Sequence, residues 1–107
     1  MPLDTRVVKA VHGVRAVVFD LEQVPAMDAT GLVAFESSLA ALDRRQILTI
    51  LTEMRDQPRM LLWKAGVRER FPRLLIRPDL DTAVLAAEAH VAGIAQASST
   101  KTRVRPA

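Results

Sequence analysis

The sequence predicts an α/β fold, a small, mostly parallel β-sheet of three to four strands packed by helices. Three observations predict it. Two runs, Ala16-Val17-Val18-Phe19-Asp20-Leu21 and Ile47-Leu48-Thr49-Ile50-Leu51, are nearly continuous in apolar character, as strands covered on both faces are. Between them, Leu32, Phe35, Leu39 and Leu42 fall on one stripe at helical spacing. Helix-like and strand-like segments alternate along the chain, an order that favours right-handed crossovers and parallel strands.

Taken in order, residues 4–12 suit a short helix that ends at Gly13. Asp4 or Thr5 caps its start, and Val7, Val8 and Val11 sit at helical spacing. The first strand covers Ala16 to Leu21. Pro25 cannot donate to a ladder, so Val24-Pro25-Ala26-Met27 leads out of it. Asp28 is a natural N-cap for the striped helix, which Asp43, Arg44 and Arg45 close. The second strand is Ile47–Leu51. After a break at 53–57, Pro58 opens a helix carrying Met60, Leu61, Trp63 and Ala65, and Gly66 stops it. Val67 to Phe71 adds one more turn. Leu74-Leu75-Ile76 forms a third strand. Asp79 or Asp81 caps a last helix that runs to about Val91, with Ala83, Leu85 or Val84, Ala87 and Val91 inward.

The 107 residues suit one domain, read as residues 1–95, followed by a basic tail over 96–107 too polar to pack and expected to be flexible. That tail explains the net charge of +3. Lys101, Arg103 and Arg105 carry the whole excess, leaving 12 basic residues against 12 acidic ones in the body. A nucleic-acid binder shows a basic stripe on its folded part and aromatic platforms for stacking. Tyr is absent, Trp63 is single and the three Phe are scattered, so no nucleic-acid partner is expected. Without cysteine there is no disulfide or thiolate chemistry. No apolar run approaches the length of a bilayer span, and no signal peptide is indicated. The expected location is therefore cytoplasmic.

Catalytic patterns are wanting. Gly31 stands alone, with no dinucleotide fingerprint and no phosphate-loop lysine. His12 and His90 read as ordinary helix residues, and no metal-ligand spacing occurs. Asp20 and Glu22, at a strand's end, could serve chemistry, but a solvated strand end is the simpler reading. What remains is Asp28-Ala29-Thr30-Gly31-Leu32, a strand-to-helix corner. Its plain reading is structural: Asp28 caps, Thr30 supports the first turn and Gly31 lets the helix approach the sheet. Its functional reading is a surface that a phosphate on Thr30 would switch. The helix N-terminus favours such a charge and Asp28 repels it.

Several stretches in this order resemble the STAS domain, found in SulP-type sulfate and anion transporters and in anti-sigma-factor antagonists. They are Val17-Val18-Phe19-Asp20-Leu21, Val24 through Leu32, Leu42-Asp43-Arg44-Arg45, Leu62-Trp63-Lys64-Ala65-Gly66-Val67, and Pro78-Asp79-Leu80-Asp81-Thr82-Ala83. The resemblance spans residue 7 to about 88 and implies a STAS-like fold. In antagonists the phosphorylatable residue precedes the glycine, the place of Thr30 here. The form Asp28-Ala29-Thr30-Gly31 after Val24-Pro25 looks more like the transporter branch. Some members of that branch bind nucleotides; no matching motif is carried over, and no cofactor is expected beyond weak nucleotide binding. A complete STAS domain begins with one or two strands, and a chain read as starting with a helix lacks them. Its exposed sheet edge would then invite pairing with a second copy.

The first functional reading is thus a non-catalytic regulatory domain of such a transporter, whose partner is the transporter's membrane domain. The second is a free-standing antagonist bound and phosphorylated on Thr30 by an anti-sigma factor. The third, a small enzyme using Asp20 and Asp28, requires a polar pocket joining the two.

Overall fold

Hydrogen bonding between neighbouring segments builds a four-stranded sheet in the order β1-β2-β3-β4. The computed structural model describes residues 4–10 and 13–103. Its strands are β1 (Asp4–Ala10), β2 (Gly13–Asp20), β3 (Leu48–Thr52) and β4 (Leu74–Arg77). Helix α1 (Ala29–Arg44) joins β2 to β3, while α2 (Asp56–Lys64) and the single turn α3 (Val67–Arg70) join β3 to β4. Helix α4 (Leu80–Arg103) follows. Strands β2, β3 and β4 run parallel, as the alternating pattern predicts, and β1 is antiparallel to β2.

The first element corrects the sequence reading. Residues 4–10 form a strand and no helix, paired from Asp4 opposite Asp20 to Ala10 opposite Gly13, with an irregularity between Val8 and Lys9. The helical spacing of Val7, Val8 and Val11 in the sequence competes with the β-branched residues at 5, 7 and 8, and a strand edge waiting on β2 decides between them. The N-terminal strand taken as missing is therefore β1, and Gly13 begins β2 instead of ending a helix. Val11 and His12 lie outside the described residues.

Period-two alternation sorts the core to the two faces of the sheet. Val17, Phe19, Leu51 and Leu74 face α1, α2 and α3, where they meet Phe35, Leu39, Leu62 and Val67. The rings of Phe19 and Phe35 meet edge-on, with centroids 5.4 Å apart. That contact is worth about 0.5–1.5 kcal/mol beyond its burial and holds α1 over β2. The other face presents Ala16, Val18, Leu48 and Ile50 to Ala83 and Ala87 of α4. Two alanines one turn apart let α4 lie close to the sheet. Leu85 points outward, 64% exposed, and Val84 is the half-buried member of that pair.

Helix ends follow side-chain chemistry. Helix α1 closes with Ile47 N–H donating to the Leu42 carbonyl (3.0 Å) and Gln46 N–H to that of Asp43 (2.9 Å). This reciprocal closure places the residue after the cap in the left-handed region, and Gln46 adopts φ 60° there. Gly66 (φ 69°) ends α2, as expected. Asp79, of the two candidates, caps α4 by accepting from Thr82 N–H at 2.8 Å. The helix does not stop near Val91 but continues through Gly93 to Arg103. One glycine costs about 1 kcal/mol, and the run Ala92 to Ala97 around it is rich in helix formers. Residues 104–107 lie outside the description.

Candidate interaction site

The segment between β2 and α1 lies at the carboxyl end of the parallel strands, where α/β proteins place their recognition loops. Asp20 ends β2, buried at 8% exposure, and its Oδ1 accepts from the Glu22 N–H at 2.9 Å. This aspartate turn bends the chain off the sheet. Asp20 is accordingly not a solvated strand end; Glu22 is exposed. The Leu21 N–H continues the ladder to the Thr52 carbonyl (3.0 Å), and Val24 N–H returns to the Leu21 carbonyl (3.0 Å).

Three buried side chains at every third position, Leu21, Val24 and Met27, pin the loop to the core while Pro25 and Ala26 face solvent. A fourth tie comes from another element. Gln57, in the first turn of α2, accepts from Met27 N–H through Oε1 (2.7 Å) and donates from Nε2 to the Met27 carbonyl (3.1 Å). A side-chain amide thus pairs with the backbone as a neighbouring strand would.

The corner begins one residue later. Asp28 is the N-cap of α1, extended at φ −94°, ψ −179°, and its Oδ1 accepts from Gly31 N–H at 2.7 Å. The expected cap is in place. Ala29 and Thr30 are exposed, while Gly31 and Leu32 are half-buried toward the sheet. The exposed face continues along α1 through Val33 (61% exposed), Ala34, Ser37 and Ser38. No charge interrupts it. The first charge of α1, Glu36, turns aside to an ion pair with Arg70. A solvent-facing helix surface without charge is unusual, because such faces are where soluble helices carry their ionised residues.

The two aspartates that an enzyme reading needs are not brought together. Asp20 is occupied by its own turn and Asp28 by its helix cap, and neither lines the two described cavities. Among the described residues, no three His, Cys, Asp or Glu gather as metal ligands would. No helix of the described residues is long and apolar enough to cross a membrane.

Sequence reasoning missed Gln57, which it left in a break, and Glu53, whose Oε2 accepts from Leu80 N–H at 3.0 Å. Nothing local signals either tie, since each spans about thirty residues. Part of the uncharged face of α1 is legible: Ala29, Thr30, Val33, Ala34, Ser37 and Ser38 lie off the apolar stripe and none is ionisable, whereas Glu36, also off it, gives no sign in the sequence of its ion pair with Arg70.

A search of curated proteins and a search of solved structures each gave no match. The family model of the STAS domain matches residues 3–83, from β1 through the first turn of α4, and with it the cap and corner described above. The chain belongs to the STAS domain family.

Proposed function

We propose that this chain is a non-catalytic regulatory domain of a SulP-type sulfate or anion transporter. STAS domains are regulatory modules that act through protein–protein contacts. Here the contact surface is the corner Asp28–Leu32 with the exposed face of α1. The observation that supports it is the run of exposed, uncharged residues Ala29, Thr30, Val33, Ala34 and Ser37 on a helix whose start is fixed by Asp28 and Gln57. Apart from the capping carboxylate of Asp28 at its edge, this surface carries no charge, so it loses little on desolvation, as the core of a protein interface must. The partner is the transporter's membrane domain, met at the cytoplasmic face. A second copy would pair along the outer edge of β1, since β1 occupies the edge beside β2.

The exposure of Thr30 favours a second reading, a stand-alone anti-sigma-factor antagonist phosphorylated on that hydroxyl. A phosphate there carries about −1.5 to −2 charges. It would sit beside the amides of α1, which attract it, and beside Asp28, which repels it. The reading frame upstream of Met1 tests the choice. A run of membrane spans supports the transporter reading. A neighbouring kinase-like anti-sigma factor, with a phosphopeptide at Thr30 after incubation with it, supports the antagonist.

A further inference from the structure

A second surface lies on the other side of α2. Strand β4 ends the sheet, and its only partner among the described residues is β3. Along it, between β4 and the α2–α3 segment, runs a groove of about 760 Å³. Leu62 and Leu74 form its floor, with Met60 and Trp63 standing above at 53% and 68% exposure.

Arg59, Arg68 and Arg77 rim the groove, against one acid, Asp56. The ion pairs among the described residues use other arginines, Arg70 with Glu36 and Arg73 with Asp43. Arg77 Nη1 donates instead to the Ile76 carbonyl at 2.9 Å, and Arg59 Nη2 to that of Met54 at 3.4 Å. Three guanidinium groups without a carboxylate, beside exposed Met and Trp, make an apolar slot with a positive rim.

We infer that this groove docks an extended acidic-apolar segment of a partner protein, added as a fifth strand along β4. The backbone of an edge strand supplies the hydrogen bonds for such addition. Alternate side chains of the added strand would point into the slot beneath Trp63 and Met60, residue types that anchor interfaces. Carboxylates at its ends would meet the planar arginine groups, which bind them in a forked geometry. Four residues opposite Leu74–Arg77 span about 13 Å, so the recognised core is short. A second copy of this chain is the poorer occupant. Two-fold pairing along β4 would set one copy's three arginines against the same three of the other. The surface is built from β4 and the α2–α3 segment and does not depend on the role proposed for α1.

The test is selection from a display library of random ten-residue peptides against the full 107-residue chain, followed by binding measurements on the recovered peptides. The expected peptides alternate apolar residues and carry Asp or Glu at the flanks. Binding should shift the amide signals of Leu74 to Arg77. It should weaken at least tenfold with Arg68→Glu, an exposed position where the folded spectrum is retained, and with Arg59→Glu. N-methylation of the peptide amides that face β4 should abolish binding, while methylation of the intervening amides leaves it; this control alters only the peptide. Failure to recover peptides, recovery without an acidic preference, indifference to either charge reversal, or indifference to N-methylation would overturn the inference. So would a concentration-dependent dimer whose contacts map to β4.

Discussion

The Gln57 side-chain amide is bonded to both backbone groups of Met27, accepting from its N–H and donating to its carbonyl. One residue of α2 thereby sets the path of the loop that delivers the chain to Asp28. Gln57→Ala leaves the N–H and carbonyl of a largely buried residue, Met27 at 4% exposure, without those partners. The expected loss is about 1–3 kcal/mol in a urea titration, with faster hydrogen exchange at the Met27 amide. Gln57→Glu keeps an acceptor for the Met27 N–H but turns a carboxylate oxygen toward the Met27 carbonyl, where Nε2 donates at 3.1 Å, so it should not restore the stability of the native chain.

The cap itself is separable from that anchor. Asp28→Ala should destabilise the protein by about 1 kcal/mol, and Asp28→Asn by only a few tenths, because asparagine still accepts from Gly31 N–H. Hydrogen exchange at Gly31 distinguishes the two variants.

Glu53 combines an unfavourable backbone with a useful side chain. Its φ of 57° lies in the left-handed region, and its carboxylate caps Leu80 at the start of α4. The backbone conformation costs about 1–2 kcal/mol in a non-glycine residue. Glu53→Ala keeps that cost and loses the cap, and should be the least stable variant, down by about 1–2 kcal/mol. Glu53→Gly loses the cap but relieves the backbone, so its net change should stay within about 1 kcal/mol of zero. Glu53→Gln keeps an acceptor and loses the charge at the helix start, a change of about 0.3–1 kcal/mol. Thermal or urea unfolding of the three variants reads the order directly.

Gln46 carries the same backbone cost without an equivalent duty, since its side chain is exposed and its turn is closed by backbone bonds. Gln46→Gly should therefore stabilise the protein by about 1 kcal/mol, measured by the same unfolding titration.

The parts legible in the sequence were those set by short-range pattern. The stripe Leu32, Phe35, Leu39, Leu42 and the cap at Asp28 need only neighbours within a turn, and both are where the pattern puts them. The buried runs that became β2 and β3 were equally clear. Residues 4–10 misled because valines at 7, 8 and 11 in the sequence satisfy a helical spacing while the β-branched residues at 5, 7 and 8 suit a strand, and only pairing to β2 decides. The extension of α4 past Gly93 shows a glycine outvoted by the alanines beside it. At the candidate site, the Gln57–Met27 tie and the Glu53–Leu80 cap were invisible, because a polar side chain announces its type but never its distant partner.

The most direct measurement is photocrosslinking in the native host with the full-length gene product. A photoreactive amino acid is placed singly at Thr30, at Val33, or at Glu88, an exposed residue of α4 across the sheet. Recognition through the uncharged face of α1 predicts the same light-dependent protein adduct from Thr30 and Val33, and none from Glu88. An adduct from Glu88 with none from either α1 position would contradict it.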